Sequence, residues 1–370
     1  MINKKIKNVG LILVSLLLLE LVSGYIYAHL PPSLNNGKNL VDIYLGNAPS
    51  SPYSIEPHPY LLYQNTRNYY ADGFQQNNSQ GYRGKEFDQK KSDSSIRILA
   101  LGGSTTDMYP YIKNPNDTWI SQLGDMLREK INPNIETINA GLNYATTAEL
   151  LASYVFRHQY LNLDILIIHT GGNDIIPLFF ENYSPEYTHF RAHGSGIIPR
   201  RFERTLLSVS SFIKLIYANW LNSTPTVYQS QPYDLKLIDS KKALERVNQN
   251  NCEGFRRNLD TIIKLAKSNG TKVVLFGFLS AKEDFLLQNN EVLKGLAKPG
   301  ALALKKNYQI MKELSELHEI PFIIPEPSLF DDSWFSDHCH LNEQGEKMKA
   351  TILFNFFNNS KEFYFTDKPQ

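Results

Sequence analysis

Residues Ile96–Leu101 read IRILAL and run directly into the pentapeptide GGSTT at residues 102–106. A short, continuous apolar run that stops at glycine is typical of a strand buried on both faces of a parallel sheet. Further predicted strands follow, and apolar residues at helical spacing separate them. These strands occupy residues 135–139, 163–169, 271–278 and 321–324. The alternation predicts an α/β fold, a three-layer doubly wound sandwich with a mostly parallel five-stranded sheet.

The chain divides into three parts around that core. We assign residues 1–30 to a membrane segment or signal, residues 31–95 to a polar N-terminal extension, and residues 96–365 to the α/β domain. The rhythm of strands and helices breaks at about residues 182–250, where only Ser210–Trp220 has a helical pattern. Two interpretations of this insertion stay open: a lid or substrate platform over the active face, or an irregular surface excursion.

The amino end predicts the location of the protein. Lys4, Lys5 and Lys7 precede a mostly apolar stretch from Val9 to Ala28, which is long enough to span a bilayer as a helix. Basic residues before such a stretch hold that end in the cytoplasm. We therefore expect an extracytoplasmic protein anchored to the inner (cytoplasmic) membrane, with a cleaved and secreted or periplasmic form as the second choice. Glu20 is costly in this stretch unless it is protonated or lies near the outer boundary.

Composition excludes several classes of protein. With 38 Lys+Arg against 37 Asp+Glu, the chain lacks the basic surplus of a nucleic-acid binder. Two cysteines, Cys252 and Cys339, cannot build a disulfide framework or a four-thiolate zinc site, and whether they pair is left open. We predict no cofactor and no metal.

Four polar patterns follow the predicted strands, at the edge where ligands of such sheets bind. Ser104 stands in GGSTT, Gly141 ends NAG, Asn173 stands in GGND, and Asp337 precedes His340 by three positions in DHCH. A serine presented at a helix start, with a histidine to take its proton and an aspartate to orient that histidine, suits acyl transfer. The Asn173 amide and exposed backbone N–H groups suit an oxyanion.

Each pattern alone also fits a simpler role. GGSTT fits a helix cap or phosphate turn, NAG and GGND fit ordinary turns, and DHCH fits a metal site or a structural histidine. His338 is a rival base, but it directly follows Asp337, so the same local pairing is harder.

Taken together, the four patterns resemble the SGNH (GDSL-type) hydrolase superfamily, and within it the bacterial subgroup that carries GGSTT. Asn78–Arg83 (NSQGYR), Ile138–Gly141 (INAG) and Asp337–Gly345 (DHCHLNEQG) are similar to segments of that subgroup. The resemblance implies Ser104 as nucleophile, His340 as general base and Asp337 as its orienter. It also implies an oxyanion hole made by Ser104 N–H, Gly141 N–H and the Asn173 side chain.

We expect a serine esterase that removes acetyl or another small acyl group from a carbohydrate, with an acylated carbohydrate or other small ester as its partner. Two alternatives stay open: an envelope polysaccharide O-acyltransferase that uses the same triad, and a non-catalytic glycan-binding scaffold. Asp107 departs from the subgroup, where glycine or a neutral residue is frequent, and a carboxylate there could alter substrate choice.

Overall fold

The computed structural model describes residues 2–31, 38, 41, 45, 54–58, 60–190, 201–223, 238–281 and 295–365. Its helices and strands confirm the predicted α/β class. In chain order the strands are β1 Ile55–His58, β2 Leu62–Asn65, β3 Tyr70–Ala71, β4 Phe74–Gln75, β5 Ile96–Gly102, β6 Ile135–Gly141, β7 Ile165–Thr170, β8 Lys272–Gly277 and β9 Phe322–Ile323. The helices are α1 Ile2–Ala28, α2 Ser104–Asp107, α3 Trp119–Lys130, α4 Thr147–Phe156, α5 Arg201–Val209, α6 Ser211–Ser223, α7 Ser240–Gln249, α8 Glu253–Ser268, α9 Ala297–His318, α10 Glu343–Asn359 and α11 Lys361–Phe365.

The central sheet has five parallel strands in the order β6-β5-β7-β8-β9. Strand order reverses direction around β5, because β6 lies on one side of it and β7, β8 and β9 lie on the other. A ligand of such a sheet binds beyond the carboxyl ends of the strands at this switch point. That edge is where Gly102 and Gly141 end their strands.

Alternate side chains of each strand enter two separate cores, which gives the three layers. Leu99, Leu166 and Leu275 face the core formed with α4, α8 and α9, whereas Ile98 and Ile167 face the core formed with α3 and α10. Side chains of successive strand residues point to opposite faces, so a strand covered on both sides is mostly apolar. Burial on both faces therefore explains the continuous apolar runs in the sequence. Arg97 in β5 is an exception, and its buried guanidinium donates to Glu136 at 2.8 Å.

The segment before the sheet packs closely on the α/β domain. It contains two short antiparallel pairs, β1 with β2 and β3 with β4. The first pair contributes the buried side chains Ile55 and Tyr63, whereas the second is largely exposed. Tyr63 donates from its hydroxyl to the Asn143 carbonyl at 2.8 Å, and Arg83 N–H donates to the Asn139 carbonyl at 3.2 Å. The predicted polar extension therefore covers the edge of the sheet at the carboxyl ends of the strands.

The helices in the described parts of the insertion are α5, α6 and α7, while residues 191–200 and 224–237 lie outside the described residues. Helix α7 packs on α9 and on the short 3-10 helix Asn173–Phe179, and α6 packs along α1. Of these, the sequence predicted only the helix at Ser210–Trp220.

Candidate active site

Ser104 is the first residue of α2, immediately beyond β5. As the first helical residue, its backbone N–H has no intrahelical acceptor and points away from the helix. Gly103 before it is required by a close approach, because a Cβ at that position would lie 2.8 Å from the Asn173 Nδ2 atom. The GGSTT turn thus brings the serine and the Asn173 amide together.

His340 and Asp337 meet Ser104 from a loop that precedes α10. The Ser104 hydroxyl lies 2.8 Å from His340 Nε2, and His340 Nδ1 lies 2.7 Å from Asp337 Oδ2. The other carboxylate oxygen, Oδ1, accepts the backbone N–H groups of Cys339 and His340, each at 2.8 Å. Burial would raise the pKa of Asp337, but the hydrogen bond and charge of His340 outweigh it and hold that pKa well below its usual range. Asp337 is therefore a fixed carboxylate, as an orienter of the histidine requires.

Tyr111 is a further member of this arrangement that sequence reasoning did not place there. Its hydroxyl donates to Asp337 Oδ2 at 2.7 Å, and its ring stacks on the His340 imidazole with centroids 3.9 Å apart and an interplanar angle of 8°. Burial, followed by the hydrogen bond to Asp337, raises the pKa of Tyr111, so the phenol stays protonated and donating. No sequence signal shows this contact, since the two residues are 226 positions apart.

Asn173 begins the 3-10 helix that follows β7. Its Nδ2 donates one N–H to the Ala145 carbonyl at 2.8 Å, which fixes the amide beside Gly103 and Ser104. The amide nitrogen carries a second N–H, which suits an oxyanion at the serine. The next residue, Asp174, holds this loop by accepting from Thr147 N–H at 3.0 Å and from the Tyr187 hydroxyl at 2.9 Å.

The Gly141 N–H, which was expected in the oxyanion hole, has an acceptor inside the protein. That N–H donates to Asn139 Oδ1 at 2.9 Å, and the Gly141 carbonyl accepts from Asn65 Nδ2 at 2.8 Å. A Cβ at residue 141 would lie 2.1 Å from the Asp107 nitrogen, so glycine is needed there for close packing of β6 under α2. A glycine that ends a strand can serve packing as readily as catalysis, and only the local hydrogen bonds distinguish the two.

A cavity of about 270 Å³ opens beside Ser104 and His340. Its other lining residues are Ser54, Ile55, Tyr69, Tyr109, Pro110, Tyr111, Asn143 and Tyr144. Among the described residues, the wall opposite the sheet comes from the extension before β5, and the cavity borders no residue of the insertion. The expectation of a lid over the active face is therefore not met by the described part of the insertion, whose helices pack on α1, on α9 and on the 3-10 helix instead. A larger cavity of about 690 Å³ lies between the extension and α3, but neither Ser104 nor His340 borders it.

Asp107 lies beneath the cavity and does not line it. Its carboxylate is buried and accepts the Tyr109 N–H at 3.2 Å. Burial raises the pKa of Asp107 to about 6, although the Arg83 guanidinium and the Tyr109 N–H oppose the shift. The sequence suggested that a carboxylate here could alter substrate choice. Because this carboxylate does not line the cavity, it can do so only through its neighbours Arg83 and Tyr109.

The rival residues of the DHCH pattern take other roles. His338 Nδ1 lies 3.8 Å from Asp337 Oδ1, whereas Ser104 is bonded to His340. Cys252 and Cys339 are both buried free thiols and do not pair. In the described part of the chain, one group of side chains is close enough to share a metal ion, namely Asp337, Cys339 and His340. Asp337 and His340 are already hydrogen-bonded to each other. Burial keeps the pKa of the Cys339 thiol well above its usual value, so this thiol stays protonated and is a poor metal ligand. The three side chains therefore suit a catalytic triad better than a metal site.

Solved structures with a similar fold include a lipase/acylhydrolase from Enterococcus faecalis. It is 14% identical, covers 72% of this chain and 96% of its own, and has a TM-score of 0.40. Another is a catalytic mutant of Axe2, an acetylxylan esterase from Geobacillus stearothermophilus. It is 13% identical, covers 72% and 95% of the two chains, and has a TM-score of 0.43. No curated protein sequence matches the chain.

A family model matches residues 100–348, which is well over half of the chain and includes Ser104, Asn173, Asp337 and His340. The match confirms the superfamily that the four patterns predicted, while the GGSTT subgroup stays a prediction. On this evidence the chain belongs to the GDSL-like lipase/acylhydrolase family and is an ester hydrolase.

Proposed function

We propose that this hydrolase is an extracytoplasmic serine esterase that removes acetyl or another small acyl group from a carbohydrate. The observation that carries the proposal is the continuous hydrogen-bonded chain from Ser104 through His340 to Asp337, with distances of 2.8 and 2.7 Å. Ser104 and His340 border a cavity of about 270 Å³. This volume is at the small end for ligand pockets, so it suits a short acyl group on one sugar unit. Four tyrosines line it (Tyr69, Tyr109, Tyr111 and Tyr144), and each offers an apolar face with a polar edge to a sugar.

The proposed reaction passes through an ester on Ser104. His340 Nε2 takes the serine proton as Oγ attacks the acyl carbonyl, and the tetrahedral oxyanion receives the Ser104 N–H and the Asn173 amide N–H. Asp337 holds the proton of His340 on Nδ1, which keeps Nε2 able to accept. His340 then returns the proton to the departing sugar oxygen, and water activated by the same histidine releases the acid.

Location supports the extracytoplasmic part of the proposal. Residues Asn8–Ala28 form a helix with mean hydropathy 2.3, long and apolar enough either to span a membrane or to act as a signal. Most apolar side chains of this helix are exposed, unlike those of a core helix.

The substrate class is tested with the full chain in detergent, supplied with an acetylated polysaccharide and, separately, with a long-chain lipid ester. We expect free acetate from the polysaccharide and none with the Ser104→Ala twin. Release of fatty acid from the lipid ester, without release of acetate from the polysaccharide, would contradict a carbohydrate substrate. Acetyl groups recovered on an added sugar acceptor, in place of free acetate, would favour the O-acyltransferase.

Asn173→Ala is expected to lower kcat by about 10²–10³-fold with little change in KM, because its amide meets charge that exists only in the transition state. Steady-state kinetics on a cognate ester check this. Asn116→Ala, an exposed asparagine outside the cavity, is the matched control. Full kcat in Asn173→Ala would remove this residue from the oxyanion hole.

Tyr111→Phe is expected to lower kcat by about 3–10-fold, because it removes one hydrogen bond that fixes the Asp337 carboxylate while the ring stack on His340 remains. Steady-state kinetics on the same ester check this. Tyr160→Phe, which replaces an exposed tyrosine outside the cavity, is the matched control. An unchanged kcat in Tyr111→Phe would show that the phenol only packs.

A further inference from the structure

Glu20, the only charged residue of the apolar stretch Val9–Ala28, is bonded to the insertion. Its carboxylate accepts the Ser210 hydroxyl and the backbone N–H of Ser211 at 2.7 Å, with Phe212 N–H at 3.4 Å. Ser211 begins α6, so Glu20 caps that helix together with Ser210, whose hydroxyl oxygen accepts the Ile213 N–H at 3.2 Å. The helix N-terminus lacks intrahelical acceptors for these donors, and a carboxylate there also meets the positive end of the helix dipole.

The close approach of the two helices depends on a small residue. A Cβ at Gly24 would lie only 3.3 Å from the Ser211 hydroxyl oxygen. Farther along, Lys214 lies over the Tyr27 ring at 5.9 Å, and Leu30 and Tyr27 share an apolar cluster with Ala218. Helix α6 therefore runs alongside α1 in the same direction, starting at the level of Glu20 and continuing past the end of α1.

These contacts fix the depth of the helix start. Glu20 lies eight residues before Ala28, which at 1.5 Å per residue is about 12 Å below the end of α1. If α1 spans a bilayer, the turn between α5 and α6 enters the outer leaflet. Backbone donors in hydrocarbon must be satisfied within the protein, and a buried carboxylate there must be paired. The Glu20 cap meets both requirements at once.

Large apolar side chains are exposed at the junction of α5 and α6 and along α6. Phe212, Ile216 and Trp220 recur every four residues on one face of α6, at 37%, 52% and 46% exposure, and Val209 at the end of α5 is 73% exposed. The neighbouring helix α1 also exposes most of its apolar side chains. Lys38 and Lys214 both lie over the ring of Tyr27, one residue before α1 ends, as cations and aromatic rings do at a membrane interface. Trp220, two turns beyond the deepest residues, is then at headgroup level.

From this placement we propose that the junction of α5 and α6, Val209–Phe212, is a second membrane contact: it inserts into the outer leaflet beside α1, with Glu20 capping the start of α6. The occupant of the exposed apolar face is the lipid bilayer. The proposal rests on α1 being retained as an anchor, and the cap gives α1 a structural role that a cleaved signal would lose. It requires no particular substrate, so its test uses no activity measurement.

The experiment reconstitutes the full chain in phosphatidylcholine vesicles and confirms by intact mass that residues 1–28 are retained. Val209→Cys is labelled with a polarity-sensitive fluorophore; Cys252 and Cys339 are buried and stay unlabelled. We expect a blue-shifted emission that nitroxide-labelled lipids quench. Leu317→Cys is the matched control, an apolar residue 68% exposed on α9, and its label should remain accessible to a water-soluble quencher.

Intrinsic fluorescence gives an independent measurement, because the chain has only Trp119, Trp220 and Trp334. Lipids with the nitroxide just below the headgroups should quench the tryptophan emission more than lipids labelled at the bilayer centre. Trp220→Phe should abolish that quenching. Val209 and Leu317 labels with equal exposure to water would overturn the proposal, as would lipid quenching that persists in Trp220→Phe. Glu20→Leu should return the Val209 label to water, and an unchanged label would refute the capping role.

Discussion

Ser104→Ala will abolish turnover of p-nitrophenyl acetate and leave the fold intact. Removal of the nucleophile of a serine hydrolase costs on the order of 10⁶ in kcat. The hydroxyl contacts His340 Nε2 at 2.8 Å beside an open cavity, so water can replace it and little unfolding free energy should be lost. Initial rates and thermal unfolding of both proteins measure the two effects.

The matched control for this variant is Ser121→Ala, a half-buried serine on α3 that borders the larger cavity. Its rates should equal those of the unmodified protein. Wild-type protein should also release a burst of p-nitrophenol equal to the amount of enzyme if deacylation is slower than acylation. Substantial turnover by a folded Ser104→Ala protein would contradict the acyl-enzyme mechanism.

Asp337→Asn will lower kcat by about 10⁴-fold, through the tautomer of His340. The asparagine oxygen can keep the Oδ1 position, where it accepts the backbone N–H groups of Cys339 and His340. Its NH₂ group then takes the Oδ2 position and donates to His340 Nδ1. That forces the imidazole proton onto Nε2, which can no longer accept from Ser104.

The expected signature is a loss in kcat with KM nearly unchanged, because Asp337 does not line the cavity. Raising the pH should not restore activity, since the defect is a misplaced proton. Asp93→Asn, which replaces an exposed aspartate before β5, is the control. A variant that recovers full rate at high pH would show that Asp337 acts through charge alone.

The sheet could be predicted from sequence because parallel strands buried on both faces leave continuous apolar runs, as Ile96–Leu101 does. The triad could be predicted because Asp337 and His340 are three positions apart and the strand ends converge at one edge. Gly141 shows the limit of such reasoning: its motif fits an oxyanion donor, but the neighbouring Asn139 side chain takes its N–H.

Contacts between distant parts of the chain left no local pattern. Tyr111 meets Asp337 and Tyr63 meets Asn143 only after folding, across 226 and 80 positions. The cap on α6 is of the same kind, because Glu20 and Ser211 are 191 positions apart. Such contacts can be identified only from the folded structure, because the burial and charge of each partner depend on the other.

The separation of Ser104 from its base has a consequence for synthesis. The two residues are 236 positions apart, so the nucleophile emerges from the ribosome long before His340. Domains form from the amino end as the chain is made. On the proposed mechanism, a nascent chain, or one truncated before residue 340, carries the serine without its base. Hydrolytic capacity then arises last, after strands β5 to β9 have all been synthesised.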